Sequence, residues 1–219
     1  MKTAKLILGI LLVYASTSIS GQKVCTIANL SENMLYRGIK NPIGISVSDI
    51  PNDHLKIILS DSLCKIEKVD NNNYLITPPT AKNYLMVLLT VMNYQNGKEE
   101  LITKYTFRVK RVPPPEIYLG GWKKGGKINK SSILANPSLF ATRAPGFDYN
   151  IQFKVLGFTM KVNDSIGHSL ISESNKFTDE QLNKIRAMLS GQSFTISDIM
   201  IDGPDWNGKL NSELHFTIE

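Results

Sequence analysis

Residues 121–127, Gly-Trp-Lys-Lys-Gly-Gly-Lys, hold the densest set of side chains that could do chemistry. Their glycine-to-lysine spacing is that of a phosphate-binding loop, in which backbone amides cradle phosphate oxygens and the lysine reaches the terminal phosphates. Such a loop continues with a hydroxyl residue for Mg²⁺ and opens a helix. Here Ile128 comes next and no helix-start signal follows, so a basic β-turn is the better reading. His54, His168 and His215 stand apart, with no His or Cys at metal-ligand spacing. His215, between Leu214 and Phe216, is expected on the outer side of a final strand. Residues 202–208, Asp-Gly-Pro-Asp-Trp-Asn-Gly, look like a calcium loop. Their oxygen spacing is wrong and no glutamate falls at the twelfth position, so a turn between the last two strands accounts for them. Gly167-His168-Ser169 lacks the closing glycine of a nucleophile elbow. Glu99-Glu100 and Asp179-Glu180 read as turn and helix-start charges. These residues predict no enzyme, no cofactor and no metal.

What the residue types do support is contact with another macromolecule. Residues 104–130 carry eight basic side chains, Lys104, Arg108, Lys110, Arg111, Lys123, Lys124, Lys127 and Lys130, against the single acid Glu116. Lys104, Arg108 and Lys110 alternate along one strand face. Two readings fit this cluster. One is a docking surface for an acidic partner or a polyanionic envelope component; the other is a solvated edge whose lysines prevent stray strand pairing. Trp122 and Trp206 keep open a function of another class, a carbohydrate- or envelope-polymer-binding sandwich using exposed aromatic platforms.

The start of the chain sets the compartment. Lys2 and Lys5 precede an apolar run over residues 6–15 and then the small residues Ser16, Ser18, Ser20 and Gly21, the pattern of a secretory signal peptide. A membrane span needs roughly 20 apolar residues, and no stretch of the mature chain from about Gln22 supplies them. We therefore expect an exported, periplasmic protein. The formal net charge of +6 becomes +4 without Lys2 and Lys5. The excess lies before Val112, where 12 basic face 8 acidic residues from Gln22 onward; after it the count is 11 and 11. The sequence pI of 9.2 would suit nucleic acid, but an exported chain rarely meets it. Cys25 and Cys64 could pair in an oxidising compartment, closing a loop worth ~3–4 kcal/mol. Two separate buried thiols are the alternative.

Periodicity then places the elements that would carry these residues. The reading is mainly β, with two tandem β-sandwich-like domains. An immunoglobulin-like domain is expected over residues 22–112, after a signal peptide over 1–21. A β-domain with one packed helix is expected over 113–219. In the first, Ile43, Ile45 and Val47 alternate with small residues, residues 84–92 form a long apolar run, and Tyr105, Phe107 and Val109 oppose Lys104, Arg108 and Lys110. Pro113, Pro114 and Pro115 lack amide donors and favour a stiff extended linker, a hinge of restricted angle. In the second, Gly120-Gly121 and Gly125-Gly126 bracket a tight hairpin. The apolar phase changes at Gly157, as a β-bulge would make it, with a similar slip between Ile196 and Ile199. A helix over about 178–190 has Thr178 and Gln181 as its capping box, Phe177 and Leu182 as staple, and Leu182, Ile185 and Leu189 as its stripe, with Gly191 as stop. Leu214, Phe216 and Ile218 form the closing strand.

Read in order, these pieces resemble the periplasmic C-terminal half of the GldM/PorM family, the core subunit of type IX secretion and gliding machinery. Asn33-Met-Leu-Tyr36-Arg37-Gly38-Ile39-Lys-Asn41-Pro42-Ile43 is similar to the family's opening N-x-L-Y-x-G-x-x-N-P-I. Phe107-Arg-Val-Lys-Arg-Val-Pro113, with the following glycine pairs, resembles its R-V-K-x-V-P…G-G pattern. Phe147-Asp-Tyr-Asn, the helix ending at Gly191, and Asp198-Ile with Gly203-Pro204-Asp205 follow in the family's order. Asp205 is followed by Trp206, where the family usually has Gly. The resemblance spans about Val24 to Glu219. It implies periplasmic β-domains in an elongated dimer that pass conformational change from an inner-membrane motor to an outer-membrane-associated ring, without catalysis or cofactor. The family's transmembrane helix and earlier periplasmic domains have no counterpart ahead of Val24, which leaves two expectations, a free-standing relative that docks on the same partners or one with a different role. We expect an exported adaptor module working by protein–protein contact with envelope components, with a homodimer among its assemblies. Its contacts are expected through Tyr36, Arg37 and Asn41 of the opening motif and Lys104, Arg108, Lys110, Arg111, Lys123, Lys124 and Lys127 at the joint.

Overall fold

A computed structural model describes residues 23–29, 33–81, 83–120, 124–163 and 167–219. The first half is built from strands β1 (Cys25–Asn29), β2 (Met34–Tyr36), β3 (Asn41–Val47), β4 (Leu55–Leu59), β5 (Lys65–Lys68), β6 (Asn73–Thr77), β7 (Met86–Gln95) and β8 (Lys98–Lys110). They form two four-stranded sheets, ordered β1-β3-β6-β5 and β2-β8-β7-β4. Every neighbouring pair is antiparallel except β2 and β8, which run parallel. Alternation decides what lies between the sheets, because successive side chains point to opposite faces. Ile43, Ile45, Val47, Tyr74 and Ile76 of one sheet meet Leu35, Val87, Leu89, Val91, Phe107 and Val109 of the other in one core.

The apolar run at residues 84–92 invites burial on both faces, yet β7 buries only Val87, Leu89 and Val91 and leaves Met86 exposed. Among the described residues no layer covers its other face. Cys25 and Cys64 are both free thiols, which corrects the disulfide reading. Cys25 lies on β1 and Cys64 directly precedes β5, so they belong to opposite edges of the same sheet. Three inter-strand steps of about 4.8 Å separate those edges, about twice the Cα separation a disulfide allows.

The second half comprises β9 (Glu116–Leu119), β10 (Gly126–Ile128), α1 (Lys130–Ala135), β11 (Leu139–Thr142), β12 (Lys154–Val162), β13 (Ser169–Ser172), α2 (Asp179–Ala187), β14 (Ser193–Gly203), β15 (Trp206–Lys209) and β16 (Leu214–Ile218). Its main sheet runs β10-β16-β14-β12-β13, with β15 also paired to β14, and β9 pairs separately with β11. Phe158, Met160, Phe194, Ile196 and Phe216 from the sheet pack with Phe177 and Ile185 at α2 and with Ile133 of α1.

The capping box is formed in both directions. Gln181 N–H donates to Thr178 Oγ1 at 3.2 Å and Thr178 N–H to Gln181 Oε1 at 2.9 Å. The Gln181 amide also donates to Leu170 O at 2.9 Å, which ties α2 to β13. The helix stops earlier than its pattern suggests. Met188 takes an extended backbone, is buried, and leaves Leu189 69% exposed, so Gly191 is not the stop. The bulge at Gly157 is present as a register shift between β12 and β14. A Cβ there would lie 2.7 Å from Ser172 O, so no larger residue fits. Asp198, at φ 51, absorbs the matching slip on β14.

The expected hairpin around Gly120 and Gly125 does not form. The strand before it pairs with β11 and the strand after it runs parallel to β16, so the segment is a crossover between sheets. Against expectation a helix, α1, follows Ile128.

Candidate functional site

The residues of the opening motif and the joint converge between the two halves. β14 and β15 form a hairpin in which Gly203 pairs with Trp206. Its corner is Pro204, whose ring fixes φ, followed by Asp205 at φ 59, a positive angle that Asp tolerates better than most residues. This turn points the Asp205 carboxylate into the first half, where its side chain is only 3% exposed. Oδ2 accepts from Arg37 Nη2 at 3.0 Å, Arg37 Nε at 3.2 Å and Val112 N–H at 3.1 Å. Arg37 Nη1 donates to Ala81 O at 3.2 Å, so the guanidinium is held on two sides.

Val112, between the last strand of the first half and the prolines, is fixed at both backbone groups. Its N–H reaches Asp205, and its carbonyl accepts from Trp206 Nε1 at 2.8 Å. The Arg111 guanidinium stacks on the Trp206 ring, 3.6 Å from its centroid. Gly38, at φ 68, lets the chain turn here; a Cβ would come within 2.8 Å of Thr80 Cγ2 and 3.5 Å of Asp205 N.

A second layer is aromatic. Tyr36 meets Phe147 edge-on, with centroids 4.8 Å apart, and Tyr149 at 5.4 Å, while Phe147 and Tyr149 stack at 5.0 Å. Ile39, Val112, Phe147 and Phe153 form a small core of their own across the joint. Asn41 is fully buried and completely used. Its amide donates to Tyr36 O, Ile39 O and Ile76 O, and its carbonyl accepts from Tyr36 N–H at 2.7 Å and the Tyr149 hydroxyl at 3.2 Å.

These positions give the expected contact residues of the opening motif a role inside the chain. Arg37 and Asn41 are buried and Tyr36 is half-buried, and their polar groups are bonded within the chain, where they splice its halves. The proline segment is not a free hinge, since the residue before it is clamped by a buried ion pair.

The basic cluster also divides. Arg111 belongs to the splice. Lys124 is paired with Glu116 at 2.5 Å, which depresses the Glu116 carboxyl and raises the Lys124 amine, and it lies 5.2 Å from the Tyr118 ring centroid. Lys130 Nζ donates to Met188 O at 2.8 Å and Arg186 O at 3.3 Å, satisfying carbonyls at the end of α2. Lys123 and Trp122 lie outside the described residues. Lys127 is exposed on β10, and Lys104, Arg108 and Lys110 are exposed on β8. The latter three form a row on one face of that strand. Asp205 and Trp206, expected in a turn between the last two strands, prove to be joint residues as well; their signal was the run Gly-Pro-Asp-Trp at a turn.

Two open clefts of about 470 Å³ and 450 Å³ flank the joint. The first is lined by Arg37, Arg111, Asp202, Trp206 and Asn207, the second by Ile39, Lys40, Tyr149 and Pro204. Trp206, one of the two expected sugar platforms, gives one ring face to Arg111 and its N–H to Val112. Among the described residues no group of three or more His, Cys, Asp or Glu side chains could hold a metal ion. Among the same residues no helix is long and apolar enough to cross a membrane.

Among solved structures the chain is similar to protocadherin gammaB7 EC3-6, at 12% identity and TM-score 0.31, covering 90% of this chain and 51% of that one. It is also similar to titin domains A168-A170, at 12% identity and TM-score 0.29, covering 90% of this chain and 68% of that one. Chicken VE-cadherin EC1-2 matches at 11% identity and TM-score 0.25, covering 85% and 95%. The chain thus spans about half the length of the protocadherin it matches. No curated protein matches it. Two family models match in succession, the GldM third domain over residues 24–110 and the GldM C-terminal domain over residues 113–219. Their boundary falls on Arg111 and Val112, the clamped residues of the joint, and with nearly all of residues 24–219 matched in this order, the chain belongs to the GldM family.

Proposed function

We propose that this protein is an exported, non-enzymatic interaction module that works with components of the type IX secretion and gliding machinery. It joins its partners as a spliced pair of β-domains, in the periplasm, as a dimer. The observation that carries this reading is the succession of the two GldM domains, joined through the Arg37–Asp205 pair. A buried ion pair, a cation–π stack and an aromatic cluster hold the halves at one angle, which suits a part that passes displacement from one end to the other. Catalysis plays no part in this reading, because the joint's polar groups are consumed by one another.

The test is capture of envelope components on the purified mature protein. Recovery of ring or motor components of the secretion and gliding machinery is expected. Recovery of glycan alone would overturn the adaptor role. N-terminal mass analysis of the periplasmic fraction should find the chain beginning near Gln22; an unprocessed chain in the cytoplasm would refute export.

A further inference from the structure

The outward face of the β2-β8-β7-β4 sheet brings two features together, one charged and one apolar. The first is a row of cations that pair with no acid among the described residues. Lys104, Arg108 and Lys110 alternate along β8 and are exposed. At about 3.4 Å per residue the row spans about 20 Å. Elsewhere in the first half Lys56 pairs with Glu99 at 2.7 Å, Lys40 with Glu67 at 2.7 Å and Lys23 with Glu100, while Lys65, Lys68 and Lys98 are exposed singly at other places; what sets β8 apart is three cations in alternation on one strand face. Among the described residues no carboxylate pairs with any of the three on β8. The second feature is apolar. Register places Met86 beside Arg108, Leu88 beside Thr106, and Thr90 between Lys104 and Ile58. Met86 is 65% exposed and Ile58 40%, with Leu88 half-buried between them. An aliphatic strip therefore lies alongside the charges on one face of the sheet.

We propose that this face docks an acidic segment of a protein partner, one whose carboxylates alternate with aliphatic side chains. The proposal rests on the adaptor reading and names the surface and the partner chemistry it left open. A second copy of the chain is a poor occupant, because a two-fold contact sets the same patch against itself and would oppose cation to cation. An anionic membrane is also a poor one. Electrostatic membrane binding draws on clusters of about 4–8 basic residues, and this row has three. An acidic, aliphatic protein segment complements both features at once, with charge setting orientation and encounter rate and the strip supplying apolar burial.

The test uses the mature chain and a fluorescent eleven-residue peptide of alternating Glu and Val, followed by anisotropy at low and high salt. A Lys–Val peptide and phosphatidylglycerol vesicles are run beside it. The Glu–Val peptide should bind and weaken with salt. The K104E/R108E/K110E variant, its fold checked by circular dichroism, should weaken that binding at least tenfold. A K154E/K176E control should stay within twofold. Equal binding by the triple variant, binding of vesicles in place of the peptide, or a dimer abolished by the triple variant would each overturn the proposal. Envelope capture separates the two levels. Machinery components recovered equally by wild type and triple variant would sink this face and leave the adaptor reading intact. Their absence with wild type would sink both.

Discussion

Removing one side chain from the splice should show whether the ion pair holds the halves together. In Arg37→Met the Asp205 carboxylate, 3% exposed, loses two of its three hydrogen bonds, from Nη2 at 3.0 Å and Nε at 3.2 Å. Breaking a buried pair typically costs about 3–5 kcal/mol, because an uncompensated charge is left behind. Val112 N–H remains at 3.1 Å, and Arg111 Nε, at 3.7 Å, can move closer. The lower end, about 3 kcal/mol, is therefore expected, equivalent to about a hundredfold shift of the joint equilibrium. Asp205→Asn is the matching variant, since Asn also tolerates the positive φ of 59 found there. A double-mutant cycle with urea unfolding would then give the coupling energy of the pair. Spin labels at Val69 and Ile171, both exposed and in different halves, report the geometry. Wild type should give one narrow distance distribution, and Arg37→Met a broad one. A loss below about 1 kcal/mol, the worth of an ordinary surface pair, with an unchanged distribution would refute the splice.

Other parts of the fold make separate predictions. Gly157→Ala would place a methyl 2.7 Å from Ser172 O, and thermal unfolding should register about 1–3 kcal/mol of overpacking strain. Thr178→Ala removes one half of the capping box and should cost about 1 kcal/mol, with Thr178→Ser restoring most of it. Burial pushes the Cys64 thiol from its ordinary 9.0 up to about 11. Its neutral form is the one the fold favours, so this contribution is complete below pH 9.0 and fades as pH rises towards 11. Chemical denaturation at pH 8 and pH 10.5 should show the decline. At pH 8 a maleimide should label Cys25 well before Cys64, both being labelled after unfolding; equal native rates would contradict the burial.

Local structure was legible wherever the information lies within a few residues. Thr178 and Gln181 close their box within one helical turn, so the start of α2 could be read from two residues and a spacing. The bulge was visible at Gly157 because a change of apolar phase is itself a local record of register. Helix ends were less legible. Leu189 fits the stripe that Leu182 and Ile185 begin, yet Met188 takes the buried place, because the chain must turn to enter β14. The crossover at Gly120 and Gly125 resembled a hairpin because glycine pairs mark turns without naming the strands they join. Those partners, β11 and β16, lie farther along the chain. Residues 84–92 read as buried on both faces, since composition cannot tell a covered face from one left open.

By itself, the sequence determined a mainly β chain in two parts, the strand faces, the helix start, and, through the order of its motifs, the family. Each rests on side-chain periodicity or on spacings of a few residues. Only the tertiary structure decided what the motif residues do. Arg37 and Asp205 are separated by most of the chain, and nothing in either neighbourhood names the other; they meet because the Pro204-Asp205 turn aims a carboxylate into the first half. The same packing withdrew Arg111, Lys124 and Lys130 from the basic cluster and left Lys104, Arg108, Lys110 and Lys127 exposed. Which charges are satisfied depends on folded neighbours, and that is a property of distance in space.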